Sequence, residues 1–237
     1  MKTRLIRLLL LIFPAVMTAF AMPLRAAEFK IQKSHFEQSE GCFIIYDLKT
    51  DKLLGIFGEE RCKQPYAPCS TFKMPLAVMA FDAGVLKDEN TLLKWDGIKR
   101  SIEAWDRDCT AASWMRNSVV WYSQRLTPLL GKTKVQSYLK GFNYGNQDIS
   151  AGLTGFWLTA SKTDSDPGRG SLKISAFEQL DFLKRFWSGK LPVSPDAIEK
   201  TKKITFLETS PNGFTLHGKT GSDGSSDMFR AMPENIS

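Results

Sequence analysis

The stretch APCSTFKMPLAVMAF, residues 67–81, sets the chemical problem from which the chain is read. It is apolar enough for a buried helix, which Gly84 would close. Yet Lys73 stands in it, three residues after Ser70. Burying an unpaired charge costs several kcal/mol, so this lysine needs an explanation. Pro75 lacks an N–H and fits best near a helix start, which places Ser70 and Lys73 in or beside the first turn. Residues three apart on a helix share a face, so the two side chains can touch.

A serine hydroxyl is a weak nucleophile and needs a base. A solvated lysine is protonated at neutral pH and cannot serve. Burial beside Phe72, Met74, Leu76 and Val78 lowers the lysine pKa, as does the positive end of a helix. The neutral amine can then act as base itself, or combine with carbon dioxide into a carbamate, a better base. The same spacing recurs at Ser137–Lys140 in VQSYLKGF, where it reads as a plain helical face with a lysine near its C-terminus.

Further segments add polar chemistry. GKTG at 218–221 ends an expected edge strand. There Lys219 and Thr220 can present a cation and a hydroxyl to a carboxylate, and Gly221 permits close backbone approach. Lys-Thr also occurs at Lys49, Lys132 and Lys162, but only the Lys219 copy is followed by glycine. NSVVW at 117–121 offers Ser118 as a proton relay, or as a surface serine of a helix. NYGN at 143–146 reads as a turn, and Trp157 as core.

The whole chain sets bounds. Its 237 residues suit one domain or two compact lobes, and 43% hydrophobic with 24% charged residues allows a sizeable core. MKTRLIR followed by LLLLIFPAVMTAFAM reads as a secretory signal peptide over 1–21, with Ala26-Ala27 as a second cleavage candidate; the other reading is a membrane anchor. The mature chain is then expected in the periplasm, without stable membrane association. Of the net charge of +7, Lys2, Arg4 and Arg7 leave with the leader, and no basic stripe interleaved with aromatics supports nucleic-acid binding. Export implies an oxidising compartment. Cys42 and Cys62 flank an expected hairpin closely enough to pair, Cys69 precedes Ser70, and Cys109 falls in a helical stretch. No metal site is expected, because there is no C-x-x-C pair and His35 and His217 are the only histidines.

GCFIIYDLKTDKLLGIFG at 41–58 reads as a β-hairpin. About 85 to 200 is mostly helical, with Gly141 and Gly189 as C-caps and a polar loop at 161–171. KITFLET and GFTLHGKTG return to strand composition around an Asn212-Gly213 turn. Strands at both chain ends with helices between them imply an α+β fold: an antiparallel sheet from the two ends and an inserted helical lobe, with the site at their junction.

In combination, STFK at 70–73, SVV at 118–120, YGN at 144–146, Trp157 and KTG at 219–221 resemble the class D serine β-lactamases, over about Gly41 to Gly221. The resemblance implies the penicillin-recognising serine β-lactamase/transpeptidase-like fold over 28–221. It also implies hydrolysis of a small-molecule β-lactam through a serine acyl-enzyme. By resemblance, Ser70 is the nucleophile and N-carboxylated Lys73 the general base, with no other cofactor. Trp157 donates its indole N–H to the carbamate, and Ser118 relays protons. Lys219 and Thr220 orient the substrate carboxylate beside Gly221, and the backbone N–H groups of Ser70 and Ser222 form the oxyanion hole. Val120 and Tyr144 also face the substrate side. Tyr144, Gly145 and Asn146 mainly shape its wall, while Val119 and Val120 keep the carbamate pocket dry.

The tail SDGSSDMFRAMPENIS, residues 222–237, has no alternating strand pattern. Against the family pattern it reads as a truncation lacking the last strands and C-terminal helix, which leaves the Lys219 strand as an exposed edge. Two further readings stay open: an inactive relic, and a penicillin sensor that acylates without turnover. A D,D-peptidase shares S-x-x-K and K-T-G but not the YGN and Trp157 pairing.

Overall fold

A computed structural model describes residues 41–159 and 170–222, and the backbone of 228–231 and 234–235. The expected leader, His35, most of the polar loop and the Lys162 copy of Lys-Thr lie outside the described residues. The chain opens with a hairpin of β1 (Phe43–Asp47) and β2 (Lys52–Phe57). The strands pair antiparallel with a bulge at Ile45/Tyr46. Helix α1 (Glu59–Lys63) follows, and Cys62 on it forms a disulfide with Cys42. The pairing expected from the hairpin is therefore present.

A 3-10 turn over Cys69–Phe72 runs directly into α2 (Lys73–Asp82). Every residue from Thr71 to Phe81 is buried. A helix apolar on all sides can only be a core element, and α2 packs against α4 and α7. Gly84, at φ 71°, takes the left-handed position after the helix. The short strands β3 (Leu92–Leu93) and β4 (Cys109–Thr110) precede α3 (Ala111–Arg116), α4 (Val120–Leu130) and α5 (Lys132–Gly141). Then come α6 (Ala176–Trp187) and α7 (Pro195–Thr205). Capping boxes start α3, from Thr110 and Ser113, and α6, from Ser175 and Glu178.

The closing strands are β5 (Phe206–Thr209), β6 (Thr215–His217), β7 (Lys219–Ser222), β8 (Met228–Ala231) and β9 (Glu234–Asn235). The expected α+β class holds, with hairpins at both ends and helices between. Among the described residues, however, the strands form separate ladders: β1-β2, β3-β4, β5-β6-β9 and β7-β8. The stretch read as one strand over 213–221 divides at Gly218, whose N–H bonds the Thr205 carbonyl.

Four other expectations change. Strand β7 is not a bare edge, because β8 pairs with it from Lys219↔Ala231 to Ser222↔Met228. Backbone groups make that ladder, and side-chain alternation in the tail did not reveal them. Cys109 lies on a strand leading into α3 rather than in a helix. KIT of KITFLET belongs to α7. Gly141 is the last residue of α5, and Asn143 adopts the left-handed φ of 46°. A Cβ at Gly141 would sit 3.1 Å from Pro192 Cγ, so that glycine admits a close neighbour. Gly189, at φ 65°, does follow the end of α6 as expected. Among the described residues no helix is long and apolar enough to cross a membrane, and no metal-binding cluster occurs.

The disulfide spans 20 residues of sequence. Loop-closure entropy assigns a link of that length about 3 kcal/mol. A Cys42→Ser/Cys62→Ser variant is expected to lose stability of that order in urea melts, and an unchanged midpoint would show that the hairpin is held by packing alone.

Candidate active site

The 3-10 turn carries Ser70 at the edge of the core, half-buried, with Thr71, Phe72 and Lys73 buried behind it. Three features hold it. The Cys69 N–H donates to the Trp157 carbonyl at 2.9 Å, and the Thr71 N–H donates to the Pro68 carbonyl at 3.1 Å. The Thr71 hydroxyl donates to the same carbonyl at 2.6 Å. Cys69 adopts φ 48°, a left-handed conformation that costs a non-glycine residue of order 1 kcal/mol or more. Such strain persists only where surrounding contacts enforce it. Ser70, in the first turn, has no intrahelical acceptor for its own N–H.

Lys73 Nζ lies 3.0 Å from Ser70 Oγ. The lysine is 1% exposed. Burial pushes its pKa down to about 7, helped by the charge of Lys219 and opposed by Cys69. The second S-x-x-K copy behaves as a helical face: Ser137 and Lys140 are both exposed on α5. The same spacing thus has opposite environments, and burial separates them.

Strand β7 runs against the nucleophile turn. A Cβ on Gly221 would sit 3.0 Å from the Pro68 carbonyl oxygen and 3.1 Å from both the Thr71 amide nitrogen and Thr71 Cγ2. Backbone atoms give way poorly, so only glycine lets the strand come this near. Strand alternation buries Lys219 and Gly221 and exposes Thr220 and Ser222. Lys219 therefore faces inward, its ammonium donating to the Thr220 carbonyl at 2.7 Å, and burial lowers its pKa to about 8. Thr220 lies on the opposite face of the strand, so the pair does not present cation and hydroxyl from one side.

Trp157 is fully buried, stacks on Phe72 with centroids 5.6 Å apart, and its indole N–H has no hydrogen-bond partner. Buried polar groups are nearly always paired, so an orphan donor beside the nucleophile turn is notable. Ser118 occupies the link between α3 and α4 at φ 55° and makes no side-chain hydrogen bond among the described residues. Val119 is buried, and Val120 opens α4 half-buried.

Tyr144 differs from its expectation as a substrate contact. It is fully buried, edge-on to Phe72 at 5.9 Å, with its hydroxyl engaged at 3.2 Å by Gln179. It backs the wall and cannot touch a ligand. Gly145 and Asn146 are structural as well. A Cβ on Gly145 would collide with the Lys173 carbonyl oxygen at 2.0 Å, and the Asn146 amide donates to the Ser171 carbonyl at 2.8 Å. Ser70, Lys73, Trp157, Lys219 and Gly221 thus converge on one turn. Sequence reasoning missed Thr71, which clamps that turn, and the strained Cys69; no side-chain pattern announces either.

The penicillin binding protein transpeptidase domain family matches residues 41–228. β-Lactamase OXA-1 of Escherichia coli is 42% identical over 192 residues, covering 78% of this chain and 66% of that protein. Probable β-lactamase YbxI of Bacillus subtilis is 35% identical, covering 78% and 65%. β-Lactamase OXA-48 of Klebsiella pneumoniae is 33% identical over 210 residues, covering 87% and 75%. The solved class D β-lactamase BAT-2 superposes with a TM-score of 0.73 at 35% identity, covering 81% of this chain and 76% of that one. The chain therefore spans about two thirds of the length of OXA-1 and YbxI. At 33–42% identity to these β-lactamases, and with a TM-score of 0.73 to a solved class D enzyme, the chain belongs to the class D β-lactamase family.

Proposed function

We propose that this protein hydrolyses the β-lactam ring of penicillin-type antibiotics through an acyl-enzyme on Ser70. One observation carries the reading: a buried lysine, with its pKa lowered to about 7, lies 3.0 Å from a half-exposed serine hydroxyl. A neutral amine there accepts the Ser70 proton as Oγ attacks the lactam carbonyl carbon. The carbonyl oxygen becomes an oxyanion, which the backbone N–H groups of Ser70 and Ser222 receive. Collapse breaks the C–N bond, and the freed ring nitrogen takes a proton by way of Ser118. Lys219, from the inward face of β7, supplies positive charge toward the substrate carboxylate. Water then attacks the ester, the Ser70 proton is restored, and the opened product leaves.

The residues present fit a carbamate on Lys73. The amine is dry with its pKa lowered to about 7, and the buried Trp157 indole, without a hydrogen-bond partner among the described residues, offers a donor. Bound there, a carbamate would supply an oxygen base for both proton abstractions. The Cys42–Cys62 disulfide suits an oxidising compartment, and a periplasmic location is part of the proposal.

Purified protein without its leader is expected to hydrolyse nitrocefin, and Lys73→Ala to lower turnover by about 10²–10⁴-fold, the usual worth of a general base. Trp157→Phe is expected to lower turnover, with added bicarbonate restoring part of it; no bicarbonate response would remove the carbamate. Stoichiometric labelling of Ser70 without turnover would replace hydrolysis with sensing.

The proton on Lys73 also links pH to stability. An unfolded lysine keeps its proton up to its ordinary 10.5, whereas the folded one releases it at about 7. Between those values the unfolded state binds more protons, so stability rises with pH. Below about 7 both states are protonated and the folded state bears the full burial penalty. Lys73→Met is therefore expected to melt above the wild type at pH 6 and to lose that advantage towards pH 10. An advantage independent of pH would show that the amine is not proton-poor in the folded state.

A further inference from the structure

Beneath the nucleophile turn runs a buried polar chain that the mechanism above does not use. The Tyr144 hydroxyl donates to Gln179 Oε1 at 3.2 Å. Gln179 Nε2 donates to Thr71 Oγ1 at 3.0 Å. Thr71 Oγ1 donates to the Pro68 carbonyl at 2.6 Å. Gln179 is 7% exposed, Thr71 2% and Tyr144 0%. The bond from Thr71 to the Pro68 carbonyl gives the chain its direction. A carbonyl can only accept, so the Thr71 proton is committed to Pro68, and its oxygen must receive a donor. The Gln179 amide N–H supplies one, leaving the amide oxygen to accept from the Tyr144 hydroxyl, which also lies against Thr71.

We infer that Gln179 is a positioning residue for Ser70, holding the nucleophile turn in its attacking geometry from helix α6, 108 residues away in sequence. The inference rests on the acyl-transfer reading of the site. The bond that Gln179 supports, Thr71 to Pro68, closes the turn with Ser70 at its middle. Pro68 and Thr71 are also the residues against which Gly221 packs, so their placement sets the gap between Ser70 and β7. Helix α6 is a firm base for this. Its Ser175–Glu178 capping box fixes its start, and just before it Tyr66 and Ile174 exchange backbone hydrogen bonds of 2.9 and 2.8 Å. A glutamine on the buried face of α6, in line with Phe182 and Phe186, is otherwise an uneconomical core residue. Without its amide, Thr71 Oγ1 loses the Gln179 donor and its hydroxyl is held to Pro68 less firmly. Ser70 then samples a wider range of positions relative to Lys73.

The test is the acylation rate of Ser70 by a fluorescent penicillin, measured against penicillin concentration so that binding and acylation separate, with each variant's melting curve alongside. Gln179→Leu keeps the volume and removes both hydrogen bonds. It is expected to lower the limiting acylation rate about tenfold, the rate equivalent of one buried hydrogen bond, with half-saturation little changed. Thr71→Val is expected to do the same, Thr71→Ser to recover most of that loss, and the Gln179→Leu/Thr71→Val pair to be no slower than the slower single variant. Fully additive losses, or a wild-type limiting rate in folded Gln179→Leu, would overturn the inference. Should Gln179→Leu not fold, a wild-type rate in Thr71→Val overturns it equally. A wild-type protein that takes up no penicillin overturns the acyl-transfer reading, and this inference with it.

Discussion

An amine kept out of water next to a hydroxyl is the constraint around which this protein is built. Left charged, Lys73 would weigh against the core of α2, since burial and a second lysine, Lys219, both disfavour its charge. The fold resolves this by letting the proton go. Desolvation is usually a cost to be avoided, but here it lowers the lysine pKa to about 7, which is what the proposed base requires. The all-apolar character of α2 is therefore chemical as well as structural.

The rest of the site serves that pair. The 3-10 turn ahead of α2 places Ser70 at the rim while Lys73 stays within, which one regular helical turn in the core would not do. Cys69 accepts a left-handed backbone for this, and Trp157 and Thr71 hold the turn against it. Gly221 brings β7 to within contact of the turn because it has no side chain. Ser118, a candidate catalytic residue that also takes a left-handed conformation, sits on a tight link between two helices. Asp51, Asn143 and Gln147 share that conformation elsewhere among the described residues, Asp51 and Asn143 as residue types that tolerate it. At Cys69 and Ser118 residue preference does not explain it; position does.

Much of this was legible in the sequence where local chemistry and periodicity agree. Ser70–Lys73 stood out because its flanks are apolar, and Ser137–Lys140 did not because its lysine falls near a helix C-terminus, where a cation is favourable. The hairpin over 41–58 and its disulfide followed from a turn between two apolar runs. What stayed hidden depends on tertiary contact. Gly141 looks like a cap until Pro192 is seen against it, and the 213–221 strand looks continuous until Gly218 is tied to Thr205. Nor does a motif say which face of a strand it uses: Lys219 points inward and Thr220 outward. Tyr144, read as a ligand contact, is buried because the hydroxyl it carries finds its partner on α6. Gln179 gave only one signal, a polar residue in the core register of an amphipathic helix.

The central claim concerns one proton, and carbon-13 NMR can follow it directly. In protein labelled at the lysine ε-carbon and kept free of carbon dioxide, the Lys73 resonance is identified by its disappearance in Lys73→Arg and followed through a pH titration. A midpoint near 7 is the result that a dry, neutral amine requires. A midpoint near the ordinary lysine value of 10.5 would contradict it, and the base beside Ser70 would have to be sought elsewhere.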